Sequence, residues 1–206
     1  IVKQNTRKTR FTEEIEIFKE HGGILRTTGA MQAGIHPAAL YALRDSGIVE
    51  RVSRGLYRLV DSEPLGNPDL TAVALLIPDG VICLISALAL HEITTQIPHQ
   101  VHVALRRGAE TPRLDFPPVT FYRFSGDSFT EGTETLRLED VAVRVYSPEK
   151  TLADCFKFRN RIGLDTSLEA LRLYIERKTV DVDRLMWYAK VCRVSAIIRP
   201  YLEALL

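Results

Sequence analysis

The sequence lacks a long apolar run. Its longest mainly apolar stretch, GVICLISALALHEI, is interrupted by Ser86 and ends in His91 and Glu92. Because a membrane-spanning helix needs roughly 20 consecutive apolar residues, the sequence predicts no membrane segment and no membrane partner. The composition, 46% hydrophobic and 26% charged over 206 residues, is that of an ordinary globular protein with one large domain or two small ones.

Cysteine is also scarce. Cys83, Cys155 and Cys192 are widely separated, and the chain has no CxxC motif. Three isolated cysteines do not form a disulfide framework, so the pattern predicts buried thiols in a reducing cytoplasm.

The common catalytic motifs are absent. The chain has no GxSxG, no Walker-type phosphate loop, no HExxH and no GxGxxG. His91, His99 and His102 lie near Cys83 along a predicted strand, but at no recognised zinc spacing. We therefore expect ordinary structural roles for these side chains, with no metal and no cofactor.

One acidic pattern allows a nuclease hypothesis. Glu176-Arg177-Lys178 is the chain's ExK triplet, with Asp165 as a second acid. Such a triplet serves a nuclease when it lies on a strand, whereas this one lies at the end of a predicted helix. The sequence accordingly predicts that the protein is not an enzyme.

Charge is nearly balanced over the whole chain but unevenly distributed along it. The net charge is +1. Residues 1–60 hold ten Lys or Arg against six Asp or Glu, a net of +4, and residues 61–206 hold seventeen against twenty, a net of −3. Pro64, Gly66 and Pro68 interrupt any periodicity between the two parts. The sequence predicts a basic domain over residues 1–65 and an acidic domain over residues 66–206.

The first domain begins with three helical patterns. Thr12 is predicted to cap the first helix, and the second helix begins near Thr27 or Thr28. The third opens at His36-Pro37, with proline at an early position where its missing N–H does no harm.

A hairpin pattern follows the three helices. The segment VERVSRGLYRL, residues 49–59, predicts two short strands around a turn at residues 53–55. Helices followed by a basic hairpin are typical of a winged helix-turn-helix. The hairpin carries three cations, Arg51, Arg54 and Arg58, and a single acid, Glu50. This excess of positive charge favours an anionic surface nearby.

The predicted DNA contacts come from these elements. Leu40 and Leu43 fall on one side of the third helix, opposite Tyr41 and Arg44. Winged helices also serve as dimerisation or docking modules, Tyr41 can instead pack against the hairpin, and His36 can simply cap its helix. The predicted DNA-binding residues are Thr27, Thr28, His36, Pro37, Tyr41, Arg44, Arg51, Ser53, Arg54 and Arg58.

The second domain has a mixed α and β pattern. Strands are predicted over residues 81–85, 101–105, 119–124, 136–138 and 141–146. Helices are predicted over residues 70–77, 86–92 with Ser86 as the cap, 164–178, 182–191 and 195–205. A further helix starts at Ser147-Pro148-Glu149, and Lys150 and Asp154 lie four residues apart as an intrahelical pair. The fold class is thus α+β: a winged helix-turn-helix, then a mixed α/β domain that ends in a helical bundle.

Two segments resemble the AbiEi-type antitoxins, the transcriptional regulators of type IV toxin–antitoxin systems associated with abortive phage infection. The segments are GGILRTTGAMQAGIHPAALYALRDSGIVERVSRGLYRL, residues 22–59, and VRVYSPEKTLADCFKFR, residues 143–159. The resemblance implies a bacterial, cytoplasmic autorepressor that binds inverted repeats of double-stranded DNA in its own promoter. It also implies a C-terminal domain that counteracts a cognate nucleotidyltransferase-like toxin. In that domain a structural or partner-facing role falls to Ser147, Glu149, Lys150, Asp154 and Lys157.

Two functions of other classes compete with this one. The second domain could be a nuclease or nucleotidyltransferase, which would need clustered acids on adjacent strands. Alternatively, the chain could be a stand-alone regulator without a toxin partner, whose second domain binds a small effector in an apolar pocket with convergent polar groups.

Overall fold

The computed structural model describes residues 11–62, 66–138 and 140–206. The chain divides into two compact units. The first runs to Pro78 and includes residues 112–117 and 137–143, and the second comprises residues 79–111, 118–136 and 144–206. Both units contain helices and strands, which confirms the predicted mixed α+β class.

The first unit combines short helices with a small antiparallel sheet. The helices are α1 (Thr12–Glu20), α2 (Thr27–Gln32), α3 (Pro37–Asp45) and α4 (Pro68–Leu76), and the strands are β1 (Ile24–Arg26), β2 (Val49–Ser53) and β3 (Leu56–Leu59). Strand β3 is central in the sheet, with β1 on one side and β2 on the other. Phe18, Leu40, Leu43 and Val49 are fully or almost fully buried between the helices and the sheet.

Two helix starts differ from the prediction. Phe11 occupies the N-cap of α1 and Thr12 is already helical, because Phe11 is buried in the core of the unit and this packing sets the start. Helix α4 begins at Pro68, two residues before its predicted start. A proline fits the first helical position, where its missing N–H would have no intrahelical partner.

The second unit contains strands β4 (Val81–Ile82), β5 (Val101–Arg106) and β6 (Val119–Phe124), together with the first part of β7 (Thr133–Leu138) and the last part of β8 (Val141–Tyr146). The mixed sheet has the strand order β6-β5-β4-β8-β7. Strand β4 pairs antiparallel with β5 and parallel with β8, and β5 pairs parallel with β6. The helices are α5 (Leu84–Leu90), α6 (Asp127–Thr130), α7 (Pro148–Lys157), α8 (Arg159–Ile162), α9 (Leu164–Ile175), α10 (Val182–Val191) and α11 (Ser195–Glu203).

The prediction of a strand over residues 81–85 and a helix capped by Ser86 is wrong. The strand ends at Ile82, and α5 begins at Leu84 with Cys83 at its N-cap. Ser86 lies inside the helix, where its Oγ accepts a hydrogen bond from the His102 N–H at 2.9 Å and donates to the Gln100 carbonyl at 3.3 Å. The hydroxyl of Ser86 therefore ties α5 to the start of β5 and does not cap the helix.

Three segments fall outside the described residues. They are the basic start of the chain, KQNTRKTR at residues 3–10, the part of the predicted linker at Pro64, and Glu139, which the sequence places between two predicted strands. Within the ranges that the structure describes, each helix is too short or too polar to cross a lipid bilayer.

Helix α7 is the central helix of the second unit. Ser147 is its N-cap, with Oγ accepting the Lys150 N–H at 3.3 Å, as predicted from the Ser-Pro-Glu start. The helix contacts α5, α9, α10 and α11. Because neighbours cover α7 from several directions, every residue from Glu149 to Phe156 is buried, polar residues included.

Candidate nucleic-acid interface

Helix α3 divides into a buried and an exposed side. Leu40 and Leu43 are buried in the first unit, whereas the Tyr41 side chain is 46% exposed. Arg44 lies over the Tyr41 ring, 5.2 Å from the ring centre. The exposed side of the helix therefore presents an aromatic ring and a cation next to each other.

Asp45 holds Arg44 in this position. Both Nε and Nη2 of Arg44 donate to Asp45 Oδ1, at 2.9 and 2.7 Å. This hydrogen bond and the carboxylate charge raise the pKa of the Arg44 guanidinium. Asp45 was not among the predicted site residues, although its place next to Arg44 in the sequence was a signal for the pair.

His36 forms the N-cap of α3. Its Nδ1 accepts the backbone N–H of Ala38 at 3.2 Å, and Pro37 takes the first helical position. The predicted alternative role of His36, capping its own helix, is therefore present in the structure.

The hairpin of β2 and β3 has a two-residue turn. Ser53 is opposite Leu56, which leaves Arg54 and Gly55 as the turn, and Gly55 has a φ of +75°, in the left-handed region that glycine adopts without strain. The Gly55 carbonyl accepts the Thr27 N–H at 2.9 Å. This bond attaches the hairpin turn to the first residue of α2.

The three hairpin arginines have different environments. Arg54 lies exposed in the turn, and nothing in the described part of the chain binds its guanidinium. Arg51 is exposed and donates through Nε to the Ser53 carbonyl at 3.2 Å. Arg58, by contrast, is 21% exposed, donates through Nε to Ser62 Oγ at 3.1 Å, and lies 3.9 Å from Glu50.

These contacts separate Arg58 from the other two cations. Its guanidinium is bound along the hairpin, so its first role is to hold the unit together, whereas Arg51 and Arg54 project into solvent. The sequence pattern alone grouped the three arginines as equals.

The remaining predicted contacts differ in access. Thr28 is exposed at the start of α2 and Thr27 is half-buried against the turn. Ser53 is 7% exposed, and its Oγ has no hydrogen-bond partner among the described residues. A ligand could reach Thr28, Tyr41, Arg44, Arg51 and Arg54 without a change in the hairpin.

Residues 13–60 match the family of AbiEi antitoxin transcriptional regulators. The match covers α1–α3 and the hairpin and confirms the family resemblance that the motif at residues 22–59 predicts. No curated protein sequence matches the chain.

The fold is similar to that of a solved mycobacterial protein. The crystal structure of the RV2827C protein from Mycobacterium tuberculosis aligns with a TM-score of 0.54 at 15% identity, over 96% of this chain and 81% of that one. At this identity the likeness concerns the fold alone. A nucleotidyltransferase-like antigenic protein from Paracoccidioides brasiliensis aligns at 14% identity over 69% of this chain and 95% of that one, with a TM-score of 0.34, too low to inform the fold.

The second motif lies outside the AbiEi match and forms a buried charge pair on α7. Lys150 Nζ donates to Asp154 Oδ2, and both side chains are fully buried. The ammonium lies 4.0 Å from the centre of the Tyr146 ring, and Cys192 Sγ donates to the other oxygen of Asp154 at 3.2 Å. The predicted intrahelical pair is present, but inside the core.

Two other predicted residues of this motif have partners. Glu149 is 7% exposed, accepts the Tyr174 hydroxyl through Oε1 at 2.8 Å, and its Oε2 lies 3.6 Å from Arg184 Nε. Ser147 is the buried N-cap. Lys157, at the end of α7, is half-buried and donates to Ser128 Oγ at 2.9 Å. Of the five predicted antitoxin-domain residues, Lys157 is thus the most accessible to a partner.

The cysteines are suited to packing and not to nucleophilic chemistry. Burial raises the pKa of the Cys83 and Cys155 thiols well above the usual range, and that of Cys192 to about 12. A nucleophilic cysteine needs a lowered thiol pKa, because the thiolate is the reactive form.

In the histidine and acid patterns, His91 and Arg177 have partners within the chain. His91 Nε2 is 2.7 Å from the Tyr146 carbonyl, and burial lowers the pKa of His102 to about 4. Within the described residues, no group of three or more His, Cys, Asp and Glu side chains could hold a metal ion. Arg177, inside the Glu-Arg-Lys triplet, donates to the His91 carbonyl just after the end of α9.

Proposed function

We propose that this protein is a transcriptional regulator of the AbiEi type whose first unit is a winged helix-turn-helix. In this proposal α3 enters the major groove of double-stranded DNA and the β2–β3 hairpin is the wing beside it. The finer predictions belong to the same proposal: the DNA consists of inverted repeats in the protein's own promoter, and residues 66–206 form a separate antitoxin domain that ends in a helical bundle.

The observation that carries the proposal is the arrangement of cations on α3 and the hairpin. Arg44 is held on the exposed side of α3, and Arg51 and Arg54 project from the hairpin. Guanidinium groups donate in a planar fork to phosphate oxygens or to a guanine edge. The Thr27–Gly55 bond fixes the turn relative to α2, and α3 packs on both α2 and β2, so the cations of α3 and the hairpin act from one framework.

The structure supports different roles for the exposed cations. Arg54, at the turn, has no partner for its guanidinium among the described residues and suits a phosphate contact. Arg44 is already oriented by Asp45 and Tyr41, so a base contact would cost it little side-chain entropy. Arg58 is committed to Ser62 and Glu50 and is expected to contribute to stability instead.

A salt titration of DNA binding by the full chain tests this assignment. Arg51→Ala and Arg54→Ala should each make the slope of log affinity against log salt shallower by roughly 0.9 per lost phosphate contact. Arg44→Ala should relax the sequence preference at one position, at about 1–3 kcal/mol. Arg58→Ala should lower stability and leave the salt slope unchanged.

Arg172→Ala is the control, because Arg172 is an exposed arginine on α9 in the second unit. If Arg51→Ala and Arg54→Ala bind with the wild-type affinity and salt slope, the hairpin is not a DNA contact. The hairpin would then be a protein-docking surface, and DNA binding would depend on α3 alone.

The antitoxin half of the proposal rests on the second motif. Residues 143–159 resemble the AbiEi antitoxins, and in this structure they form the last part of β8 and the buried α7. We propose that the second unit, without catalysis of its own, counteracts a nucleotidyltransferase-like toxin. Because Phe156 is fully buried, Phe156→Asp places an unpaired charge in the core of this unit.

Co-expression with the cognate toxin measures the result. Phe156→Asp should abolish rescue of growth while promoter repression is largely retained. Normal growth of the variant strain would contradict the assignment of neutralisation to the second unit, and equal loss of repression would contradict the division into two functions.

A further inference from the structure

A polar pocket lies in the second unit. Its volume is about 490 Å³, and it is lined by residues 125–128, by Lys157 and by residues 191–193. Pockets that hold small ligands usually measure about 300–1,000 Å³. All of its lining belongs to one unit, so the pocket is complete within that unit.

The pocket holds two cations without carboxylate partners. Lys157 and Arg193 both line it, and among the described residues neither forms an ion pair. Lys157 Nζ instead donates to Ser128 Oγ at 2.9 Å. Because Ser128 Oγ accepts this bond, its own O–H proton is left to donate to a ligand. Ser125 supplies a second hydroxyl.

Arg193 has an unusual backbone at this place. Its φ is +62°, in the left-handed region that arginine rarely adopts. The residue follows the end of α10, and its N–H is bound to the Lys190 carbonyl. A glycine at position 193 would keep this backbone conformation and remove the side chain.

The acids near the pocket limit what can bind. Asp127 lines it, and Asp154, which is fully buried, is paired with Lys150 and accepts a hydrogen bond from the Cys192 thiol. Two cations and two hydroxyls against one exposed carboxylate suit an anionic group, and the Asp127 carboxylate can accept a hydrogen bond from a hydroxyl of the same ligand.

We propose that this pocket binds a phosphorylated small molecule, with the phosphate held by Lys157, Arg193 and Ser128 and a ligand hydroxyl bound by Asp127. This role rests on the regulatory function proposed above, to which the site would add a small-molecule input.

Calorimetric titration of the full chain with ribose 5-phosphate, inorganic phosphate and ribose tests this site, with chloride added to equal ionic strength. Ribose 5-phosphate should bind most tightly, inorganic phosphate more weakly, and ribose not at all. Lys157→Gln and Arg193→Gly should each weaken the binding of ribose 5-phosphate about tenfold or more, because each removes a charge-assisted hydrogen bond. The glycine keeps the positive φ of residue 193.

Lys190→Gln is the matched control, since Lys190 is exposed near the end of α10 but does not line the pocket. The competing role for the two cations is to complement the C-terminal ends of α7 and α10. In that case the two variants would lower the melting temperature and leave any phosphate affinity unchanged. That result, or no binding of either phosphate beyond the effect of chloride, would overturn the proposal.

Discussion

The buried pair of Lys150 and Asp154 allows a quantitative test of the second unit. In Lys150→Met the ammonium is lost and the Asp154 carboxylate stays in the core, where both side chains are fully buried. The Cys192 thiol, 3.2 Å from the carboxylate, is then its remaining hydrogen-bond donor among the described residues, and a thiol donates weakly. Breaking one partner of a buried ion pair costs about 3–5 kcal/mol, and we expect a loss of that size near neutral pH.

The cost should depend on pH with a definite sign. Burial raises the pKa of Asp154 above its usual value, while Lys150 acts to lower it. Without Lys150 the pKa of Asp154 rises further, so Asp154 stays protonated up to a higher pH in the folded state than in the unfolded state. Stability then falls as pH rises between the unfolded and the folded pKa, by at most about 1.4 kcal/mol per pH unit. The variant should therefore be closest to wild type in acid.

Urea unfolding followed by circular dichroism at about pH 5 and about pH 7.5 measures both effects. Lys190→Met, at an exposed position on α10, should change stability by less than about 0.5 kcal/mol. The double variant Lys150→Met/Asp154→Leu should recover most of the loss, because it removes the unpaired charge. A cost below about 1 kcal/mol, or an equal cost at both pH values, would refute the argument that the carboxylate is desolvated.

Three further predictions use other contacts. Gly132→Ala should lower the urea midpoint markedly, because residue 132 has φ +74° and an added Cβ would lie 2.7 Å from Lys150 Cβ; a wild-type midpoint would contradict this packing. Thr27→Pro keeps the start of α2 but removes the N–H that donates to the Gly55 carbonyl. Amide hydrogen exchange in the hairpin should therefore become faster, and operator binding should weaken. Unchanged exchange would show that this bond does not hold the turn. Since burial lowers the pKa of His102 to about 4, the unfolded state binds more protons between about pH 6.5 and pH 4, and stability should fall as pH falls through that window. His102→Gln should lose this part of the acid sensitivity, and an unaltered pH profile would count against it.

Local sequence signals predicted the first unit well, because its elements end at residues with strong backbone preferences. His36-Pro37 opens α3 and Arg54-Gly55 forms the hairpin turn, and both signals act within a few residues. The prediction that Thr12 caps α1 was wrong because burial of Phe11, a non-local effect, outweighed the capping preference of Thr12. A non-local contact also explains why the prediction of Ser86 as a helix cap was wrong. Its hydroxyl bonds to the backbone of β5 and of Gln100, the residue before this strand.

The second unit shows more clearly where sequence reasoning ends. The spacing of Lys150 and Asp154 predicted their pairing, since residues four apart share one side of a helix. Their burial depends on α5, α9, α10 and α11, which come from other parts of the chain. No local sequence pattern distinguishes a solvated ion pair from a buried one. The difference matters, because removing one partner costs several kcal/mol more stability in a buried pair than in a solvated pair.

The same distinction decides which residues of the second motif can serve a partner. A charge can be functional at a surface only if it is accessible, and Lys150 and Asp154 are not. Lys157 is the last residue of the same helix. Its ammonium donates to Ser128 Oγ, and both residues line the polar pocket. The motif therefore combines two tasks on one helix: its buried charges fix α7 in the core, and its last cation faces the surface where a ligand can bind. Substitution of Lys150 should accordingly lower stability, and substitution of Lys157 should weaken ligand binding. Urea unfolding and ligand titration, each carried out on both variants, therefore separate the two tasks.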